Sequence, residues 1–273
     1  MNIENKKINY KIQRLIEFLR NPIKFIKKRR LVDVKLLPNP YAKHIDFDGL
    51  IQLHDNISLK AYLSSKEFIT DQFISSSFNS EKTKELGDLF NKYGSDKESS
   101  HKYNYIYQPI ISKLLEKSKN DIIILEVGIG SNNLDIQSNM GLHGKPGASA
   151  RAFRDFDKRI LFKAGDVDRR ILFEEDRISS EYVNQLDINT LENFFVNTNY
   201  DLAIDDGMHL LRSNVNFLSV ALKYSKKGSW IVIEDIGENT LSYWNTVIDQ
   251  LSKKATCWLV KTEHAYLLII NLH

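Results

Sequence analysis

Four places in the chain set acidic side chains near glycine or histidine or beside one another: Glu126-Val-Gly128-Ile-Gly130, Gly165-Asp166-Val167-Asp168, Asp205-Asp206-Gly207-Met208-His209 and Glu234-Asp235. Glycines let a backbone turn tightly and approach a ligand closely. A carboxylate just ahead of them can fix the amino-acid part of a charged ligand. A Gly-x-Gly alone is equally at home in a plain structural turn, and Asn133 stands where a dinucleotide-binding GxGxxG needs its third glycine. Asp166 suits a strand-end acid that accepts hydrogen bonds from ribose hydroxyls, or an Asx-type turn cap. The pairs Asp205–Asp206 and Glu234–Asp235 repel internally unless a cation is present. An oxygen-ligand ion such as Mg²⁺ resolves that repulsion. His209 is close enough to serve as a general base at neutral pH. Each residue alone has a structural reading as a helix cap or a core histidine. The set in this order points to a nucleoside and a cation sharing one crevice.

These residues cooperate only if the segments between them bring them to one edge. EKTKELGDLFNKYG predicts a helix ending near Gly94, and after a polar loop YNYIYQPIISKLLEKSK predicts another. IIILEVG is a short apolar run bounded by glycine, as in a buried parallel strand. ASARAFRDF follows as a helix, RILFKAG and ISSEYVN as strands, and INTLENFFVN as a helix. YDLAIDD and SWIVIED are strands, each followed by a helix, around 214–224 and 243–252. TCWLVKT and AYLLIINL close the chain as a hairpin. Strands alternating with helices imply an α/β, Rossmann-like, doubly wound sheet, mostly parallel, to which the hairpin adds an antiparallel edge. In such a sheet ligands bind beyond the C-terminal strand ends, where strand order reverses. All four motifs fall at those ends.

The chain has 273 residues, 42% hydrophobic and 27% charged, with a net charge of +3. That is ordinary globular composition. Residues 81–273 form the regular domain. Residues 1–80 read as a basic, partly helical extension, with an amphipathic stretch over about 10–26, the run Lys27-Lys28-Arg29-Arg30 and the breaker LLPNPYAK. Residues 1–30 are open to contact with an anionic membrane face, a protein partner or a second copy of the chain. No zinc-finger spacing or RNA-binding motif points to nucleic acid. The single cysteine, Cys257, excludes an internal disulfide. With no apolar run of membrane-spanning length and no secretory leader, it sets the expectation of a cytoplasmic protein, at most peripheral at the inner membrane face.

LEVGIG, GDVD, IDDGMH and IED, in this order and separation, resemble the motifs of class I S-adenosylmethionine-dependent methyltransferases. The resemblance is closer to the metal-dependent sugar O-methyltransferases related to the macrocin and mycinamicin enzymes, and extends to methyltransferases found with surface-polysaccharide genes. LFNKYGSDK with His101 and Tyr105, SNMGLHGKPGASARAFRDF and GDVDRRILFEEDRI look like that second group. The match runs over about 84–244.

The resemblance implies that Glu126, Gly128, Gly130, Asp166 and Asp205 hold S-adenosylmethionine. It implies that Asp206, Glu234 and Asp235 hold Mg²⁺ or another divalent cation, and that His209 is the catalytic base, with Asp206 also catalytic. The partner would be a sugar, nucleotide-sugar or glycan. Met208 replaces the serine common in the family. Residues 132–147, with Asn139, Lys145 and Pro146, are expected to shape the substrate side. Tyr103, Tyr105 and Tyr107 are expected over the cofactor, with core packing an equally good explanation for at least one of them, Trp244 in the substrate cleft and Trp230 in the core. A methyltransferase with a non-sugar acceptor, and a non-catalytic scaffold of the same fold, are the competing readings.

Overall fold

The computed structural model describes residues 62–273. The expected helix over 10–26, the basic run and the breaker after it lie outside the described residues.

The described chain forms one sheet of eight strands in the order β1-β7-β8-β6-β5-β2-β3-β4. These are β1 (Leu63–Ser64), β2 (Ile122–Val127), β3 (Ile160–Asp166), β4 (Ile178–Tyr182), β5 (Leu202–Asp205), β6 (Trp230–Ile236), β7 (Ala255–Lys261) and β8 (Tyr266–Leu272). The helices are α1 (Ser65–Thr70), α2 (Ser80–Tyr93), α3 (Asp96–Ser99), α4 (Asn104–Lys117), α5 (Ala148–Phe156), α6 (Ile188–Phe195), α7 (Leu211–Tyr224) and α8 (Leu241–Leu251). Strands β2 to β6 run parallel to their neighbours among themselves. β8 is antiparallel to both β6 and β7. The α/β architecture and the closing hairpin are those the sequence predicts.

From β2 the chain builds outward through β3 and β4, then returns to place β5 and β6 on the other side. The order therefore reverses between β2 and β5, which opens a crevice at their C-terminal ends. Val127 lies opposite Asp205, and Asp205 lies opposite Ile233. The residues that follow, Gly128, Asp206 and Glu234, thus leave this pairing level side by side. That register is what assembles the motifs.

Two features extend the sequence reading. Residues 62–80, assigned above to the extension, join the same sheet and core. Leu63 pairs with Val260, Ser64 and Glu67 form a reciprocal capping box on α1, and Phe68 and Ile74 are fully buried. β1 lies outside β7, so the hairpin is not the sheet's outermost element. The polar loop after Gly94 also contains α3, capped by the Ser95 side chain accepting from the Lys97 N–H.

One face of the sheet buries Phe90, Phe153, Phe162, Trp230 and Trp258 with the apolar sides of α2, α4 and α5. Trp230 stacks on Trp258 with ring centroids 5.8 Å apart, so it is core, as expected. Among the described residues, no helix is long and apolar enough to cross a membrane.

Candidate active site

Asp166, Asp206, His209, Glu234 and Asp235, drawn from three of the four motifs, line one cavity of about 300 Å³ together with Gly128 and Gly130 from the other. That volume is in the range of small-molecule pockets. Ser138, Asn139, Met140 and Lys145 from the loop 132–147 also line it.

The glycine end is built by hydrogen bonds between strand ends. Gly128 (φ +92°) and Gly130 (φ +79°) adopt left-handed backbone that other residues rarely take. Asp166 accepts the Ile129 N–H at 3.0 Å on one oxygen and the Asp168 N–H at 2.9 Å on the other. It therefore shapes the loops after β2 and β3 while lining the cavity. Burial pushes its carboxyl above the ordinary value. Asp168 accepts from Ser131 and Asn133 and pairs with Arg170. These bonds, the one from Arg170 foremost, hold its carboxyl well below the usual range.

The acidic end has two layers. In the inner layer the Lys97 ammonium lies 2.6 Å from Glu234, 2.7 Å from Asp206 and 3.3 Å from Glu126. The other oxygen of Glu234 accepts from the Tyr107 hydroxyl, and that of Glu126 from the Ser149 hydroxyl. Burial works against the Lys97 charge, but Asp206, Glu234 and Glu126 outweigh it and hold its pKa well above normal. Burial, reinforced by Asp206, pushes Glu234 upward.

In the outer layer His209 Nε2 stands 3.9 Å from Asp206 Oδ1 and 3.7 Å from Asp235 Oδ2. The Tyr103 hydroxyl donates to the other oxygen of Asp235 at 2.6 Å. His209 (φ +52°) and Asp235 (φ +51°) are both held in left-handed backbone. Such conformations cost energy and concentrate at functional sites.

The donor atoms of Asp206, His209 and Asp235 lie within 4.8 Å of one another. Hard carboxylate oxygens suit a divalent cation, and Asp206 Oδ1 and Asp235 Oδ2 receive no hydrogen bond within the described residues. The donor set therefore fits an ion. Glu234, expected among the ligands, lines the cavity but gives both its oxygens to Tyr107 and Lys97. Glu126 and Asp205 are fully buried and do not line the cavity. Asp205 accepts from Gln185 and from the Gly207 N–H, and burial pushes its carboxyl up to about 7.

The aromatic expectations change. None of Tyr103, Tyr105 and Tyr107 lines the cavity. Tyr103 and Tyr107, one helical turn apart, brace Asp235 and Glu234, while Tyr105 is exposed and stacks on Phe78. Trp244 is 1% exposed and belongs to the core, not to a cleft, because α8 turns that face onto the sheet. Lys97 is the residue the sequence reading missed as a functional group. A lysine between Asp96 and Glu98 in a polar loop reads as solvated, and the only warning in the sequence is the excess of strand-end acids without a counter-charge.

No protein-family model matches the chain, and no curated protein matches it significantly. Among solved structures, it is similar to the MycE methyltransferase of the mycinamycin biosynthetic pathway in complex with Mg and SAH. The TM-score is 0.56 at 19% identity, over 69% of this chain and 54% of that one. This chain has a methyltransferase fold. The MycE structure with Mg, SAH and Mycinamycin VI is similar at a TM-score of 0.55 and 18% identity, again over 69% and 54%. The chain spans about half the length of these solved structures, and identity at this level speaks for the fold alone.

Proposed function

We propose that this chain is an S-adenosylmethionine-dependent O-methyltransferase that methylates a hydroxyl of a sugar or glycoconjugate, in surface-polysaccharide biosynthesis, with the help of a divalent cation. The observation that carries the reading is a single cavity with a glycine-and-Asp166 end joined to an Asp206–His209–Asp235 end. The motif order LEVGIG, GDVD, IDDGMH, IED and the fold support the cofactor. The acceptor class rests on the motifs and on the likeness to MycE, one structure of which holds Mycinamycin VI.

Gly128 and Gly130 would let the backbone approach the cofactor, and Asp166 would accept hydrogen bonds from its ribose. Asp206 and Asp235 would hold the cation through their unpartnered oxygens, Glu234 joining them only by releasing Lys97. When bound, the cofactor supplies an electrophilic methyl group, and the ion supplies Lewis acidity toward an acceptor hydroxyl. His209 takes the hydroxyl proton at Nε2. Asp206 and Asp235 lie on either side of the imidazole, and their negative charge favours its protonated form. The rigid strand ends contribute by positioning.

An acceptor panel of sugars and nucleotide sugars with labelled S-adenosylmethionine tests this reading. Transfer is expected, stopped by excess chelator and restored by Mg²⁺. Full activity in chelator would remove the cation from the mechanism, and label appearing only on amines or non-sugar hydroxyls would replace the acceptor class. A chain to which S-adenosylmethionine shows no calorimetric binding would be a scaffold.

Asp166→Ala checks the cofactor end separately. Losing up to two charge-assisted hydrogen bonds to ribose should weaken S-adenosylmethionine binding about 100-fold by calorimetry, with Mn²⁺ binding unchanged. An unaltered cofactor affinity would dissociate Asp166 from the ribose.

A further inference from the structure

The tightest charge cluster in the described chain centres on Lys97. Its side chain, 2% exposed, brings one ammonium to three carboxylates carried by three strands or their ends: Glu126 in β2, Asp206 after β5 and Glu234 in β6. Donor oxygens of these same acids lie within 4.8 Å of one another, a spacing that would also hold a metal ion. An ammonium and a divalent ion are alternatives in such a place, since both are compact cations drawn to the same oxygens.

The surroundings favour the ammonium. The Tyr107 and Ser149 hydroxyls occupy the second oxygens of Glu234 and Glu126, which leaves each acid one oxygen for Lys97. The Tyr103 and Tyr107 rings lie 5.8 and 6.0 Å from the ammonium, within reach of a weak cation–π attraction. The backbone delivers the lysine: Gly94 ends α2 at φ +81° and Ser95 caps α3 immediately afterwards.

We propose that Lys97 is a built-in cation, which fills the inner carboxylate group in place of a metal ion and fixes Asp206 so that only its outer oxygen faces His209 and Asp235. Lys97 is then a positioning residue that acts through Asp206. Its neutralising part stands on the inner geometry alone, and its bearing on the outer group rests on the cation reading above.

The test uses Mn²⁺ alone as probe on the full chain, with calorimetric titration and thermal melting of the wild type and of Lys97→Met, Lys97→Gln and Lys97→Arg. Removing the positive charge should make the Met and Gln variants bind Mn²⁺ at least about tenfold more tightly, or bind an additional ion. The Arg variant should keep wild-type affinity. A lysine that served packing alone would not tighten ion binding when lost. If the Met and Gln variants are unfolded without metal, Mn²⁺ should restore a cooperative melt by replacing the ammonium. The proposal is overturned by folded Met and Gln variants with wild-type or weaker affinity, by tightening in the Arg variant equal to theirs, or by variants that stay unfolded in saturating Mn²⁺. Should the wild type bind no Mn²⁺ while the Met and Gln variants do, Lys97 keeps this role and the outer cation reading fails. Should the wild type bind and those variants gain nothing, the reverse holds.

Discussion

Asp206→Asn should lower methyl transfer by about 10³-fold or more, while S-adenosylmethionine affinity stays within a few-fold of wild type. The substitution keeps size and shape and removes one negative charge. Asp206 is the vertex shared by the two layers of the acidic end: one oxygen meets Lys97 at 2.7 Å and the other faces His209 at 3.9 Å. Neutralising it takes a ligand from the cation and a stabilising charge from the protonated imidazole. It also leaves Lys97 with one fewer counter-charge. The cofactor end is anchored independently, through Asp166 and the Ile129 and Asp168 N–H groups, so binding there should survive. The measurement is kcat at saturating cofactor and acceptor, with calorimetry on the same sample. Near-normal turnover would withdraw both the base-assisting and the ion-holding roles.

Gly128→Ala should destabilise the fold by about 3 kcal/mol or more and abolish cofactor binding, whereas Gly130→Ala should cost only about 1 kcal/mol. Both positions have positive φ, so both carry a backbone penalty. What differs is the neighbour. A Cβ on Gly128 would collide with the backbone carbonyl of Asp206 and with Gly207, in a segment tied to β2 by the Asp206 N–H donating to the Val127 carbonyl at 2.9 Å. A Cβ on Gly130 would meet the Met140 side chain, which can rotate away because that residue is 44% exposed. The collision at Gly128 displaces Asp206 itself, so fold and site fail together. Urea denaturation of both variants, with calorimetry for the cofactor, reads the contrast. A Gly128→Ala protein as stable as Gly130→Ala would mean that the Asp206 loop yields easily.

Most of the domain was legible in the residues because its signals are local. Runs such as IIILEVG and SWIVIED are too short and too uniformly apolar for surface helices, and ASARAFRDF and INTLENFFVN repeat at helical spacing. Four of the strands, β2, β3, β5 and β6, also end in glycine or acid within one or two residues, which places the chemistry at strand ends before any topology is known. The segment before Glu81 was harder to read. β1 is only two residues long and owes its pairing to β7, almost 200 positions later, so no local period marks it. The capping box at Ser64 and Glu67 was the one usable sign.

The motifs by themselves determined which strand ends carry glycine or acid, and therefore that a nucleoside-and-cation site was the reading to test. Tertiary structure decided which of those residues share a cavity. Sheet order put β5 between β2 and β6, and register set Val127, Asp205 and Ile233 level. It also sent Asp205 and Glu126 into the interior and converted Tyr103 and Tyr107 from expected cofactor covers into braces for acids. Lys97 shows the physical reason most clearly. A buried charge is tolerable only among opposite charges, and here those come from strands far along the chain, so nothing near Lys97 in the sequence could announce where its ammonium would settle.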